Sequence, residues 1–159
     1  MKRLLRPLVI IAALGTTTAW AQVKVEQAWA RATVQGQKTT GAFMKLTAPQ
    51  STQLVAVSTP VAGVVEIHEM KMDGGVMKMR ATPALDLPAN KAVELQHGGF
   101  HLMLMDLKAP LAKDSSIALT LTFKDAKGQQ SQQQVSIPVS TGMPQGAGMS
   151  DHRHGAHKH

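Results

Sequence analysis

The chain has 159 residues, with 17 Lys and Arg against 10 Asp and Glu, 3% aromatics and no cysteine. That length fits one domain of ordinary size, able to bury a core of its own. The missing cysteine excludes disulfides, thiolate nucleophiles, iron–sulfur clusters and blue-copper centres, and the low aromatic content without any basic run makes nucleic acid a poor partner.

Residues 1–21 read as a secretory signal peptide. Lys2, Arg3 and Arg6 form a basic start, Leu8 to Leu14 a short apolar core, and Ala19-Trp20-Ala21 the small-residue site before Gln22. The apolar run is too short to cross a bilayer, and no later segment is long enough, so no membrane span is expected. With no Cys after the leader, a lipid anchor is not expected either. The leader takes three of the basic residues and none of the acidic ones, leaving 14 against 10. A mildly basic, soluble, exported domain is the expectation.

Strand signals dominate the rest of the chain. Candidate strands are Val23–Ala32, Gly41–Leu46, Gln53–Ser58, Val64–Met72, Val76–Arg80, Ala92–Gln96, Phe100–Leu107, Ile117–Phe123 and Gln132–Val139. Turn formers separate them, among them Asp73-Gly74-Gly75, Gly98-Gly99 and Lys127-Gly128. Ile117, Leu119, Leu121 and Phe123 alternate with more polar neighbours, as a half-buried strand requires. Short strands at close intervals predict an all-β antiparallel sandwich or barrel over residues 22–139. Residues 140–159, rich in Gly, Ser, Pro, Met and His, show no apolar pattern and read as a flexible tail.

Ten methionines are many for this length, and four of them lie in the run His68-Glu69-Met70-Lys71-Met72-Asp73-Gly74-Gly75-Val76-Met77-Lys78-Met79. A hairpin turning on Asp73-Gly74 sets His68 opposite Met79 and Met70 opposite Met77. His68, Met70, Met72, Met77 and Met79 then share one face, with Glu69, Lys71 and Lys78 on the other. A three-residue Asp73-Gly74-Gly75 loop would break that arrangement. In Phe100-His101-Leu102-Met103-Leu104-Met105, His101, Met103 and Met105 share a face, and Leu102 and Leu104 the opposite one. Methionine in a strand is usually core filler, yet two His on such a face need partners if it is merely core. Neutral imidazoles and thioethers together suit Cu(I), whereas zinc prefers thiolate, imidazole or carboxylate donors. Imidazole must be neutral to ligate, so affinity is expected to fall with pH near the ordinary histidine pKa of about 6.5.

The spacing His68, ten residues, Met79, twenty-one residues, His101, one residue, Met103 resembles the His-x10-Met-x21-His-x-Met signature of the periplasmic copper chaperones called PCu(A)C. Ala28-Trp29-Ala30-Arg31-Ala32, Gly99-Phe100-His101-Leu102-Met103-Leu104 and Leu119-Thr120-Leu121-Thr122-Phe123 agree with that family, over Val23 to Val139. The resemblance implies a cupredoxin-like β-sandwich of Greek-key type and a Cu(I) site made by His68, Met79, His101 and Met103. It also implies a periplasmic, non-enzymatic role in supplying copper to the copper-bearing subunit of cytochrome c oxidase or its assembly factor. Met70, Met72, Met77 and Met105 stand outside the signature. In the tail, His152, His154, His157 and His159 with Met143 and Met149 form a candidate second site suited to Cu(II), and also to zinc or nickel. Its plain alternative is a polar tail with incidental metal affinity, and His97 reads as a loop residue. The competing functions are a copper-tolerance protein that sequesters without delivery, a copper redox enzyme and a metal-free adhesive sandwich.

Overall fold

A computed structural model describes residues 22–144. The expected leader, residues 1–21, lies outside the described residues, as do Met149, His152, His154, His157 and His159 of the tail. Ten strands follow in chain order: β1 Lys24–Arg31, β2 Thr39–Thr47, β3 Thr52–Ser58, β4 Ala62–Asp73, β5 Val76–Thr82, β6 Leu85–Leu87, β7 Ala92–Leu95, β8 Phe100–Leu107, β9 Ser116–Asp125 and β10 Gln130–Ser140. Nine of them are the expected strands with ends moved by at most two residues. β6, at three residues, is too short to show a period of two, and the sequence reading passes over it.

The strands run β5-β4-β8-β7-β2-β1-β10-β9-β3-β6, with β8 also pairing directly to β2. The ladders are antiparallel with two exceptions: β1 meets β10 in parallel at Ala30↔Val139 and Arg31↔Ser140, and β7 touches β8 in parallel at Leu95↔Phe100. The β1–β10 contact joins two halves that close over one core, giving the all-β sandwich expected. β9 carries the predicted alternation into that core through Ile117, Leu119, Leu121 and Phe123. From the other half come Met44, Leu46, Ile67, Leu102 and Leu104.

The core face of each strand fixes what its other face presents. Val65 and Ile67 point inward from β4, so Glu66, His68 and Met70 point outward. Leu102 and Leu104 do the same for β8 and turn His101, Met103 and Met105 outward. A slip of one residue in either strand would bury the imidazoles and expose the leucines, so the register is held by apolar burial.

Leu121 is fully buried between the halves. Leu121→Ala is expected to lower the unfolding free energy by about 2–5 kcal/mol, the usual cost of a cavity at such a site. Chemical denaturation would read this as a lower midpoint with an unchanged slope.

Candidate metal centre

The hairpin that carries the first His and Met turns on Gly74-Gly75, not on Asp73-Gly74 as its sequence suggests. Asp73 pairs with Val76, Met72 with Met77, Met70 with Met79 and His68 with Ala81. The expected pairs His68 with Met79 and Met70 with Met77 are therefore displaced by two residues. Such a two-residue hairpin turn needs positive φ at both central positions, and Gly74 (φ 59°) and Gly75 (φ 80°) supply it without a Cβ penalty. Asp73 stays in the strand, where its carboxylate accepts from Lys78 Nζ at 2.9 Å. Because the shift is even, every side chain keeps its face. His68, Met70, Met72, Met77 and Met79 remain together.

β8 supplies the other half. His68 lies directly opposite His101, and Glu66 opposite Met103. The two imidazole centroids are 5.8 Å apart and meet edge to face. Each ring has one nitrogen already engaged. His68 Nε2–H donates to Glu66 Oε2 at 2.7 Å, so in the neutral ring Nδ1 carries the lone pair. That Nδ1 is buried and has no hydrogen-bond partner. His101 Nδ1–H donates to the Gly99 carbonyl at 3.2 Å, leaving Nε2 with the lone pair. The same carbonyl accepts the Met70 N–H at 3.1 Å, so β4 and the start of β8 are tied beside both rings.

Around this pair the ladders place Met103 on the diagonal from His68, two residues along the strand from His101. Met79 lies on the other diagonal of His68, across β5 and toward the hairpin tip. His68, His101 and Met103 therefore form one contiguous group. Met79 and Met103 sit on opposite sides of it, roughly 16 Å apart between Cα atoms on a flat sheet, from a strand spacing of about 4.8 Å and a rise of about 3.3 Å per residue. A cation shared by both thioethers requires the tip of the hairpin to curl over the imidazoles. β8 begins at Phe100, opposite Glu69, so Met70–Asp73 and Val76–Met79 extend past it as a two-stranded ribbon.

An aromatic wall closes the opposite flank. Phe43 stacks on Trp29 at 4.8 Å and stands 6.5 Å from the His101 ring. Arg31 Cζ lies 5.7 Å from the Phe43 ring centroid. Gly41, paired with Met103, leaves room for that ring: a Cβ there would come within 2.9 Å of Phe43 Cζ. These residues leave His101 only 7% exposed. Burial pushes the His101 pKa below the ordinary histidine value, and the nearby His68 and His97 push the same way, against the opposing effect of the Gly99 hydrogen bond. Of the residues expected to form a second site, only Met143 is described. It is exposed and lines a shallow cleft with Trp29, Phe43, Gln96 and His97.

Sequence reasoning missed Glu66, although a period of two places it on the face of His68. It also missed the direct His68–His101 pairing and the Trp29–Phe43 wall, which depend on strand order rather than on any local pattern.

Residues 23–139 match the family model described as "Putative lipoprotein LpqE-like". The Leifsonia xyli protein called "Putative lipoprotein Lxx21020" is 32% identical over 118 residues, covering 74% of this chain and 69% of that relative. Among solved structures, Cu(I)-bound DR1885 of Deinococcus radiodurans is 27% identical with a TM-score of 0.55, covering 81% of this chain and 83% of that one. The copper-bound PCuAC domain from PmoF2 has a TM-score of 0.60 at 21% identity, over 78% of this chain and 97% of that domain, and speaks for the fold.

The depressed pKa of His101 has a signed consequence for the metal-free protein. Below about pH 6.5 the unfolded chain takes up a proton that folded His101 resists, so stability is full above that pH. It falls as pH drops toward the lowered folded value, and no further below it. Thermal melts of the metal-free protein are expected to show this loss, and His101→Gln to show a shallower fall over the same window. Equal pH slopes would remove His101 as its cause.

Proposed function

Since the chain belongs to the LpqE-like family, of PCu(A)C type, we propose that it is a periplasmic copper chaperone that carries Cu(I) on His68, Met79, His101 and Met103. Its cargo goes to the copper sites of cytochrome c oxidase, through the copper-bearing subunit or an assembly factor. One observation carries this reading: two opposed imidazoles, each with one nitrogen committed to a hydrogen bond and the other free, lie on a face otherwise rich in thioethers. Two soft sulfurs and two neutral nitrogens form a set that favours the monovalent ion and adds no negative charge.

The four donors differ in access, and that sets an order of exchange. His101 is buried, Met103 is half-buried and Met79 is 49% exposed on the free ribbon. Met79 closes the site last and opens it first, when a donor of the acceptor protein approaches from the hairpin side. The cation then leaves by stepwise replacement of weak, uncharged thioether bonds, with the imidazoles released at the end. Glu66 acts by orientation: it holds the His68 ring and its proton so that Nδ1 faces the site.

Competition with a Cu(I) chelator tests the ligands. Met79→Leu and His101→Ala are each expected to weaken Cu(I) binding while the far-ultraviolet spectrum keeps its β form. A variant of unchanged affinity would remove its residue from the site. Glu66→Leu is expected to cost about 10–100-fold in affinity, in the range of other groups that orient a ligand. Glu66→Gln, whose carbonyl still accepts from Nε2–H, should recover most of it. Delivery is tested separately by mixing the Cu(I)-loaded protein with the metal-free copper domain of the oxidase. Movement of copper to that domain is expected, and retention would instead favour sequestration.

A further inference from the structure

The hairpin tip carries more sulfur than the proposed chaperone site uses. Met72 and Met77 are a directly opposed pair, and Met70 lies two residues along β4 from Met72 on the same face. Opposed side chains have Cβ atoms roughly 4.5–5.5 Å apart, and alternate residues on a strand about 6.6 Å. None of the three belongs to the buried core, which takes Met44 alone among the described methionines. Met72 is 61% exposed and Met77 45%. An exposed edge strand is ordinarily furnished with charge or β-branched residues. The other face of this ribbon follows that rule, with Lys71, Lys78 and Arg80. The sulfur face does not, and it carries no carboxylate between Met70 and Met79 for a hard cation to use.

We propose that Met70, Met72 and Met77 form a second Cu(I) site at the hairpin tip, distinct from the His68–His101 centre. Three neutral thioethers are a soft donor set suited to a monovalent d10 ion and ill suited to zinc, magnesium or calcium. With no imidazole among its donors the site is the weaker of the two, and it fills after the first. The Met70–Met79 pair stands between the tip pair and His68, so sulfur donors continue in two-residue steps along one face from the exposed end of the ribbon to the imidazoles. Copper arriving at or leaving by the tip therefore passes from donor to donor without being released to water. This inference extends the chaperone reading only in its choice of ion, and the two can fail separately.

The test is a titration of the full chain, labelled with 13C at the methionine methyls, by Ag(I) and then by Cu(I) under anaerobic reducing conditions. The first equivalent is expected to shift the His68 and His101 ring signals, and the second the methyls of Met70, Met72 and Met77. The Met72→Leu/Met77→Leu double variant should lose one bound equivalent and keep the ring shifts. His101→Ala should keep the tip methyl shifts. Tip methyls that stay unmoved to saturation overturn the proposal and leave the patch as an apolar face. A double variant that binds as much metal at the tip as the parent does the same. Tip shifts without any ring shift would support the tip site and count against the chaperone centre.

Discussion

Everything distinctive about the outer face depends on the register of β4 against β8. That register is enforced from beneath, where Ile67, Leu102 and Leu104 are buried in the core. With those side chains inward, period-two geometry puts His68 and His101 on the outer side, where the strand pairing sets them opposite each other. Hydrophobic burial on one face thereby sets the imidazoles on the other. No polar contact need supply the alignment. The Gly99 carbonyl and Glu66 settle which nitrogen of each ring is free, and that carbonyl also ties β4 to the start of β8 through the Met70 N–H.

The candidate site is built unevenly, and the unevenness suits the proposed carrier. His101 is backed by Phe43 and Trp29, and burial favours its neutral form. His68 bears an orphaned nitrogen whose desolvation costs on the order of 1–3 kcal/mol until something accepts its lone pair. Met79 stands 49% exposed on a ribbon that extends past the neighbouring strand. In the proposed chaperone, nitrogen donors at the base with an exposed sulfur on the outlying ribbon would combine retention with release. A site made wholly of buried donors would hold its ion more tightly and yield it less readily.

Much of this was legible from residue order alone, for physical reasons that also mark where legibility ended. Alternation in β9 and in Phe100–Leu107 reports burial directly, so those strands and their faces could be read off. The shared face of His68 and the hairpin methionines survived an error in the turn, because choosing Gly74-Gly75 over Asp73-Gly74 moves the pairing by an even number. The directness of the His68–His101 contact was not readable: it depends on β8 lying beside β4, a matter of strand order set by the whole core. For the same reason the parallel β1–β10 junction and the Phe43 wall had no local signature.

The central claim is that imidazole nitrogens and thioether sulfurs converge on a single Cu(I). X-ray absorption on the full chain loaded with one equivalent of Cu(I), compared with the same loading of His101→Ala, tests it most directly. A first shell of mixed nitrogen and sulfur that loses nitrogen in the variant is the predicted result. A shell with no sulfur, or one the substitution leaves unchanged, would contradict the account.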